Sequence, residues 1–200
     1  MPVQGRTLVV ICGLPTTGKT TLAQALKEHF LGDKFRFVAM DEVREKTWGS
    51  KRSLTETEHV YKNRMTEREA QNAFIVHGAT CVFYDAVILT REVHQKPFMA
   101  MVRETEGFLS QIQKEKGVFP SAVEIQVKAI WLTCPAKVIK ERLEARWADP
   151  SGAHSVNMDA WHNLQRRFDL IAEFPCRQFD TSQISLQVLV HEAVEYISSP

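Results

Sequence analysis

Residues 13–20 read Gly-Leu-Pro-Thr-Thr-Gly-Lys-Thr, directly after the apolar run 7–12 and directly before an amphipathic segment carrying Leu22, Ala25, Leu26 and Phe30. Strand, glycine-bracketed loop and helix in that order build a cradle for phosphate. Gly13 and Gly18 admit backbone angles closed to other residues, so successive amide N–H groups can turn inward around an anion. The free amides at the following helix N-terminus add to the same field. Lys19 places a cation on the β and γ phosphates, and the Thr20 hydroxyl is positioned to ligate Mg²⁺. The whole loop (Gly13, Leu14, Pro15, Thr16, Thr17, Gly18, Lys19 and Thr20, with Thr21 behind it) therefore reads as a nucleoside triphosphate site.

Outward from the loop, apolar runs recur at 35–40, 80–84, 127–132 and, more weakly, 177–179, with helical periodicity between them. Such alternation specifies an α/β domain. Runs with little polar alternation suit a parallel sheet covered on both faces, with ligands at the carboxyl ends of the strands. Overlapping capping boxes at Ser53/Glu56 and Thr55/Glu58 predict a long helix ending near His77 and Gly78, with Tyr61, Met65, Ala70, Ala73 and Phe74 on its inner side. A second long helix is expected over about 92–116, with Pro97 near its start and Gly107 as a break. Residues 185–197 set Leu186, Leu189, Val190, Ala193, Val194 and Ile197 on one face of a closing helix.

Two hundred residues with 44% apolar content suffice for one core, so 1–200 is expected to form a single domain. The 25 basic and 24 acidic side chains leave a formal charge of +1, and no global field draws the chain to nucleic acid or membrane. No run approaches a membrane span, and the expectation is a soluble cytoplasmic protein. Cys12, Cys81 and Cys134 lie in or beside apolar runs without C-x-x-C spacing, and read as buried reduced thiols. The histidines form no ligand set.

Asp41 follows the second apolar run, where a carboxylate is placed to accept a proton from a substrate hydroxyl. It is the first choice of base, and an Asp ahead of a helical run equally suits an N-cap. Arg44, one turn on, is a candidate to hold the acceptor or the transferring phosphoryl group; a solvated helix position is the plain alternative. Glu42 reads as facing water. Asp85 closes the third run, the pattern of a carboxylate that orders the Mg²⁺ shell through water or fixes nearby arginines; an exposed strand end is the alternative. Thr90 and Arg91 follow, with Arg91 a candidate for the acceptor side. Arg142 and Arg146 lie four apart on one helical face. They are candidates for a lid at about 137–160 that closes over nucleotide, with pairing to Glu141, Glu144 or solvent as the alternative. Residues 149–157 read as the lid's connection, and Trp147 and Trp161 as core packing at its ends.

Together these motifs resemble the small P-loop kinases, the group that includes phage polynucleotide kinase, gluconate kinase, chloramphenicol phosphotransferase and zeta-toxin-like enzymes. The resemblance rests on the loop at 13–20, Met40-Asp-Glu-Val-Arg44, Tyr84-Asp-Ala-Val-Ile-Leu-Thr-Arg91 after His77-Gly78, Leu132-Thr-Cys-Pro135, Arg142-Leu-Glu-Ala-Arg146 and Phe179-Asp-Thr-Ser182. It implies a three-layer α/β P-loop NTPase fold, with a five-stranded parallel sheet of order 2-3-1-4-5 and a small helical lid. It also implies ATP and Mg²⁺, transfer to a hydroxyl, Asp41 as base, and Arg142 and Arg146 as lid arginines. Val87 departs from the Ala-Thr or Ala-Asn pair common after the strand-end acid. The segment 98–122 exceeds the usual connection and suits either an acceptor cover or a partner surface.

The leading expectation is an ATP-dependent kinase acting on a hydroxyl of a small metabolite. A polynucleotide 5′-hydroxyl kinase comes next, because Arg44, Lys46, Lys51 and Arg52 form a basic cluster. A nucleotide-dependent switch that alters a partner surface is the reading from another class.

Overall fold

The computed structural model describes residues 5–49, 54–85, 92–118, 122–148, 156, 158–166 and 171–199. Five strands, β1 (Arg6–Gly13), β2 (Phe35–Ala39), β3 (Cys81–Asp85), β4 (Ile125–Thr133) and β5 (Cys176–Asp180), form one sheet in the order β2-β3-β1-β4-β5. All four pairings are parallel. The expected strand order is the one observed. Among the described residues seven helices accompany the sheet: α1 (Lys19–His29), α2 (Met40–Trp48), α3 (Glu56–Ile75), α4 (Glu92–Glu115), α5 (Ala136–Ala148), α6 (Met158–Gln165) and α7 (Leu186–Ser198).

Side chains alternate across a strand, and β1 shows what each face is for. Leu8, Val10 and Cys12 join a core with Ala70, Ala73 and Phe74 of α3 and Phe98, Val102 and Leu109 of α4. Val9 and Ile11 join the opposite core with Leu22 and Leu26 of α1 and Leu189, Ala193 and Ile197 of α7. Because β1 is sandwiched this way, its carboxyl end and the loop beyond it stand on the most buried element of the fold. A third, smaller cluster joins Ile139 and Leu143 of α5 to Trp161 of α6, with Leu14 of the loop packed against it.

α3 departs from the expected packing. Thr55 caps it through the reciprocal Thr55–Glu58 capping box, whereas Ser53 lies outside the described residues. Its buried stripe is Lys62, Thr66, Ala70, Ala73 and Phe74, not the more apolar Tyr61 and Met65. Tyr61 is 56% exposed and meets Trp48 edge-on, with ring centroids 6.1 Å apart. Ala70 and Ala73 permit close approach to the sheet, and helical geometry then carries the same face back to Thr66 and Lys62.

α4 runs unbroken through Gly107. That glycine is exposed with open space around it, so its cost is the backbone term of about 1 kcal/mol, which burial of Phe98, Val102 and Leu109 outweighs. The helix also fixes the start of β4, where Val123 N donates to Ser110 Oγ (2.9 Å) and Ile125 N to Glu106 Oε1 (2.8 Å). Cys12 and Cys81 are buried as expected, while Cys134 is only half-buried and Cys176 is exposed; all four are free thiols. Among the described residues no helix is long and apolar enough to cross a membrane.

Candidate active site

The phosphate loop is shaped by three local constraints. Gly13, at φ 149°, lies where a Cβ would stand 2.5 Å from the Leu132 carbonyl oxygen and 2.7 Å from Thr17 Oγ1. Only glycine fits between β1 and β4 there. Thr16 takes the left-handed conformation (φ 68°), as does Gly18 (φ 96°) at the N-terminus of α1. A β-branched residue in this region costs about 1–3 kcal/mol and needs its surroundings to hold it. Those surroundings include the Leu14 carbonyl, which accepts from Thr17 N (3.3 Å), Thr17 Oγ1 (2.8 Å) and Lys19 Nζ (3.1 Å). Thr16 Oγ1 is buried with no hydrogen-bond partner. A hydroxyl donor left without an acceptor in a ring of amides fits an anion's oxygen.

On one side of the loop, Arg142 of α5 donates from NH1 to the Thr16 carbonyl (3.1 Å) and Thr181 Oγ1 (3.1 Å), and from NH2 to the Thr181 carbonyl (3.0 Å). Thr181 in turn is fixed by its N–H on the Thr133 carbonyl at 3.0 Å. One guanidinium thus ties the loop to the turn after β5. Arg142 and Arg146 line the same cavity of about 410 Å³ with Thr16, Gly18, Thr21, Thr181 and Leu186. The alternative pairing with Glu144 is not formed; Glu144 meets Lys140 instead, at 3.8 Å. Arg146 is exposed on this face.

On the other side, the parallel register aligns Ile11, Asp85 and Ala39 across β1, β3 and β2. Asp41 is not at a strand end but in the first turn of α2, whose N-cap is Ala39 without a side-chain cap. The capping alternative is therefore not realised, although Asp41 and Glu42 both sit at the favourable end of the helix dipole. Burial raises the Asp85 pKa; Lys19 opposes the rise, while Asp41 and Glu42 add to it. Burial likewise lowers the Lys19 pKa, countered first by Asp85 and also by Asp41. Asp85 and Asp41 thus share the field of one ammonium beside the loop. Glu42 is exposed as expected and pairs with Lys27 at 3.3 Å. Thr20 and Asp85 line a cavity of about 120 Å³ with Gln24, Lys27 and Glu42.

Among the described residues no cluster of three or more His, Cys, Asp or Glu could hold a metal alone. Mg²⁺ keeps waters and takes most other ligands from substrate phosphates; Thr20 and Asp85, which line one cavity, are residues that could hold it.

Arg44 is half-buried on α2. Arg91, Thr90 and 149–155 lie outside the described residues, as does the side chain of Trp147; Trp161 is buried, as expected. Two residues escaped the sequence reading. Thr181 stood inside the quoted Phe179-Asp-Thr-Ser182 but carried no assigned role. Lys62 was hidden because a lysine in an amphipathic pattern is counted to the wet face.

A parallel 2-3-1-4-5 sheet with a glycine-bracketed loop and lysine at the end of its central strand defines a P-loop nucleotide-binding protein with the fold of the small P-loop kinases. The chain belongs to the AAA_33 family, described as an AAA domain, whose model matches residues 8–171. No curated protein matches it in sequence. Among solved structures it is similar to a candidate kinase from Chloroflexus aurantiacus J-10-fl (20% identity, 96% and 99% of the two chains, TM-score 0.62). It is also similar to a sugar kinase from Janibacter sp. HTCC2649 (16%, 98% and 99%, 0.56). A third neighbour is the Mycobacterium tuberculosis APS kinase CysC, solved with AMPPNP and APS (13%, 99% and 100%, 0.54).

Proposed function

We propose that the protein is an ATP-dependent kinase that transfers the γ-phosphate to a hydroxyl of a small metabolite. The observation that supports this most is the convergence of Lys19, Asp85 and Asp41 at the carboxyl edge, beside a loop built for polyphosphate. A site for binding alone needs the loop and lysine; a second carboxylate from the neighbouring element supplies a proton acceptor.

In this reading the loop amides and Lys19 hold the β and γ phosphates. Thr20, and Asp85 through water, would hold Mg²⁺, which would supply neutralisation of charge on the phosphoryl oxygens. Asp41 takes the acceptor's hydroxyl proton as its oxygen forms a bond to the γ phosphorus and the bond to the bridging oxygen breaks, leaving ADP. Arg44 and Arg91 hold the acceptor. Segment 137–160 closes as a lid, with Arg142 and Arg146 brought to the nucleotide and water excluded. The presence of both arginines in one cavity with the loop supports this.

A polynucleotide 5′-hydroxyl acceptor is the second reading, favoured by exposed Lys46 beside half-buried Arg44, and by exposed Arg64 and Arg68 on α3. The test is labelled ATP with panels of hydroxylated metabolites and 5′-hydroxyl oligonucleotides. Rapid ADP release with one hydroxyl compound is expected. Partner binding that depends on nucleotide but never on an acceptor would identify a switch instead.

A further inference from the structure

The kinase reading brings Arg142 and Arg146 to the nucleotide together, yet the two stand in different surroundings. α5 is anchored in its first half, where buried Ile139 and Leu143 pack with Trp161 and with Leu14 of the loop. Past Leu143, Glu144, Ala145, Arg146 and Ala148 are all exposed. Arg142 therefore belongs to the docked half of the helix, and Arg146, one turn on, to the half that stands free.

Arg142 commits its donors to protein atoms. NH1 donates to the Thr16 carbonyl (3.1 Å) and to Thr181 Oγ1 (3.1 Å), as many acceptors as it has hydrogens, and NH2 donates to the Thr181 carbonyl (3.0 Å). Thr181 is itself fixed to the sheet, since its N–H (3.0 Å) and its hydroxyl (3.3 Å) both donate to the Thr133 carbonyl at the end of β4. A chain of bonds thus runs from the sheet through Thr181 and Arg142 to the loop, and every link is made by the protein. Arg146 bears on Lys19 instead: burial lowers the Lys19 pKa, and the Arg146 charge adds to that lowering.

The far end of the chain is the strained one. Thr16 is the one residue other than glycine with a positive φ (68°) among the described residues, and a β-branched side chain tolerates that region poorly. The Thr16–Thr17 peptide is pinned from both ends. Its N–H, on Thr17, donates to the Leu14 carbonyl (3.3 Å), and its carbonyl, on Thr16, accepts from Arg142. Thr16 Oγ1 has no hydrogen-bond partner, so the side chain makes no bond that would hold the conformation. If Thr16 relaxed to an ordinary φ, the peptide would swing out of reach of both its partners.

We propose that Arg142 is a positioning residue that holds Thr16 left-handed and so keeps the phosphate cradle in shape independently of the nucleotide, while Arg146 is the guanidinium of α5 that meets the phosphoryl oxygens. Closure of the segment then moves Arg146 and leaves Arg142 in place. The inference rests on the nucleotide site of the kinase reading and not on its acceptor.

A double-mutant cycle with Thr16→Gly tests it, because glycine takes a φ of 68° without strain and needs no guanidinium to stay there. Affinities for a non-hydrolysable ATP analogue and for inorganic tripolyphosphate are measured by calorimetry. Arg142→Ala should weaken both ligands about tenfold in the parent chain and no more than about threefold in the Thr16→Gly background. Whatever Thr16→Gly does alone cancels in the ratio. Equal losses in the two backgrounds would put Arg142 on the nucleotide or leave it a merely structural tie, and either overturns the proposal. So does a loss for the analogue that tripolyphosphate does not share. Thr181→Val, nearly isosteric, removes the anchoring hydroxyl and leaves the guanidinium intact, and it decides the matter if Arg142→Ala does not fold. Its loss, about threefold, should vanish in the Thr16→Gly background, and persistence overturns the proposal. Arg146→Ala should lower kcat about tenfold or more in both backgrounds alike. If glycine rescues Arg142→Ala while no hydroxyl compound is phosphorylated, the kinase reading fails and the positioning role stands; phosphoryl transfer without rescue gives the reverse.

Discussion

The two sides of the sheet's carboxyl edge are built differently. The donor side is defined by backbone: Gly13 wedged against Leu132, Thr16 held left-handed, the Leu14 carbonyl collecting three donors, and Arg142 tying the loop to Thr181. The opposite side, where the proposed function puts the acceptor, is defined by side chains: Asp85 on β3, and Asp41 and Arg44 on α2. A polyphosphate presents the same oxygens in every nucleotide, so a rigid main-chain cradle serves it without adjustment. An acceptor varies in shape and charge, and groups carried on a neighbouring strand and helix can be exchanged without disturbing the strand that bears the loop.

The sharpest way to break this contrast is at its donor centre. Lys19→Ala should lower transfer by about 10³-fold or more, with the melting temperature nearly unchanged, since the ammonium's neighbours are a loop carbonyl and the Asp85 charge. Steady-state ADP release checks it; retained activity would detach the loop from the chemistry. Asp41→Asn tests the acceptor side. It should reduce kcat by about 10²-fold or more while leaving ATP affinity within about twofold, and a loss confined to nucleotide affinity would move Asp41 to the metal.

Arg142→Ala should weaken nucleotide binding by about tenfold, because the loop loses its link to the turn after β5. Calorimetry with a non-hydrolysable nucleotide reads this directly. Arg142→Lys should recover only part of the loss, since an ammonium cannot reproduce a fork that meets Thr16 and Thr181 together.

The difference between the two sides also governs what the sequence could reveal. The loop was legible because a backbone cradle demands glycines at fixed spacing, and β1, β3 and β4 because strands covered on both faces need nearly continuous apolar runs; β5, Cys-Arg-Gln-Phe-Asp with one buried residue, left only a weak trace. Thr55 was legible as a cap because capping is local. The inner face of α3 was not: Ala70 and Ala73 set its rotation through contact with the sheet, and that long-range choice turned Tyr61 outward and Lys62 inward. Asp41 was placed on a strand end because nothing local distinguishes the last residue of β2 from the first turn of α2 when Ala39 caps without a side chain. Arg142 was found as a helical-face partner of Arg146, but its tie to Thr181 spans 39 residues and leaves no periodic trace.

The smallest expected effect sharpens the contrast within the acceptor side itself. Glu42 is Asp41's immediate neighbour, and successive residues on a helix diverge by about 100°, so the two carboxylates cannot serve one hydroxyl equally. Glu42 pairs with Lys27 in a contact whose side chains are 50% and 38% exposed; such a bridge contributes about 0–1 kcal/mol. Glu42→Gln should therefore shift the melting temperature by no more than about 2–3 °C and change kcat less than about threefold. If Glu42→Gln instead matched Asp41→Asn, the base would be the carboxylate that borders the cavity with Thr20 and Asp85, and the acceptor would approach along α1.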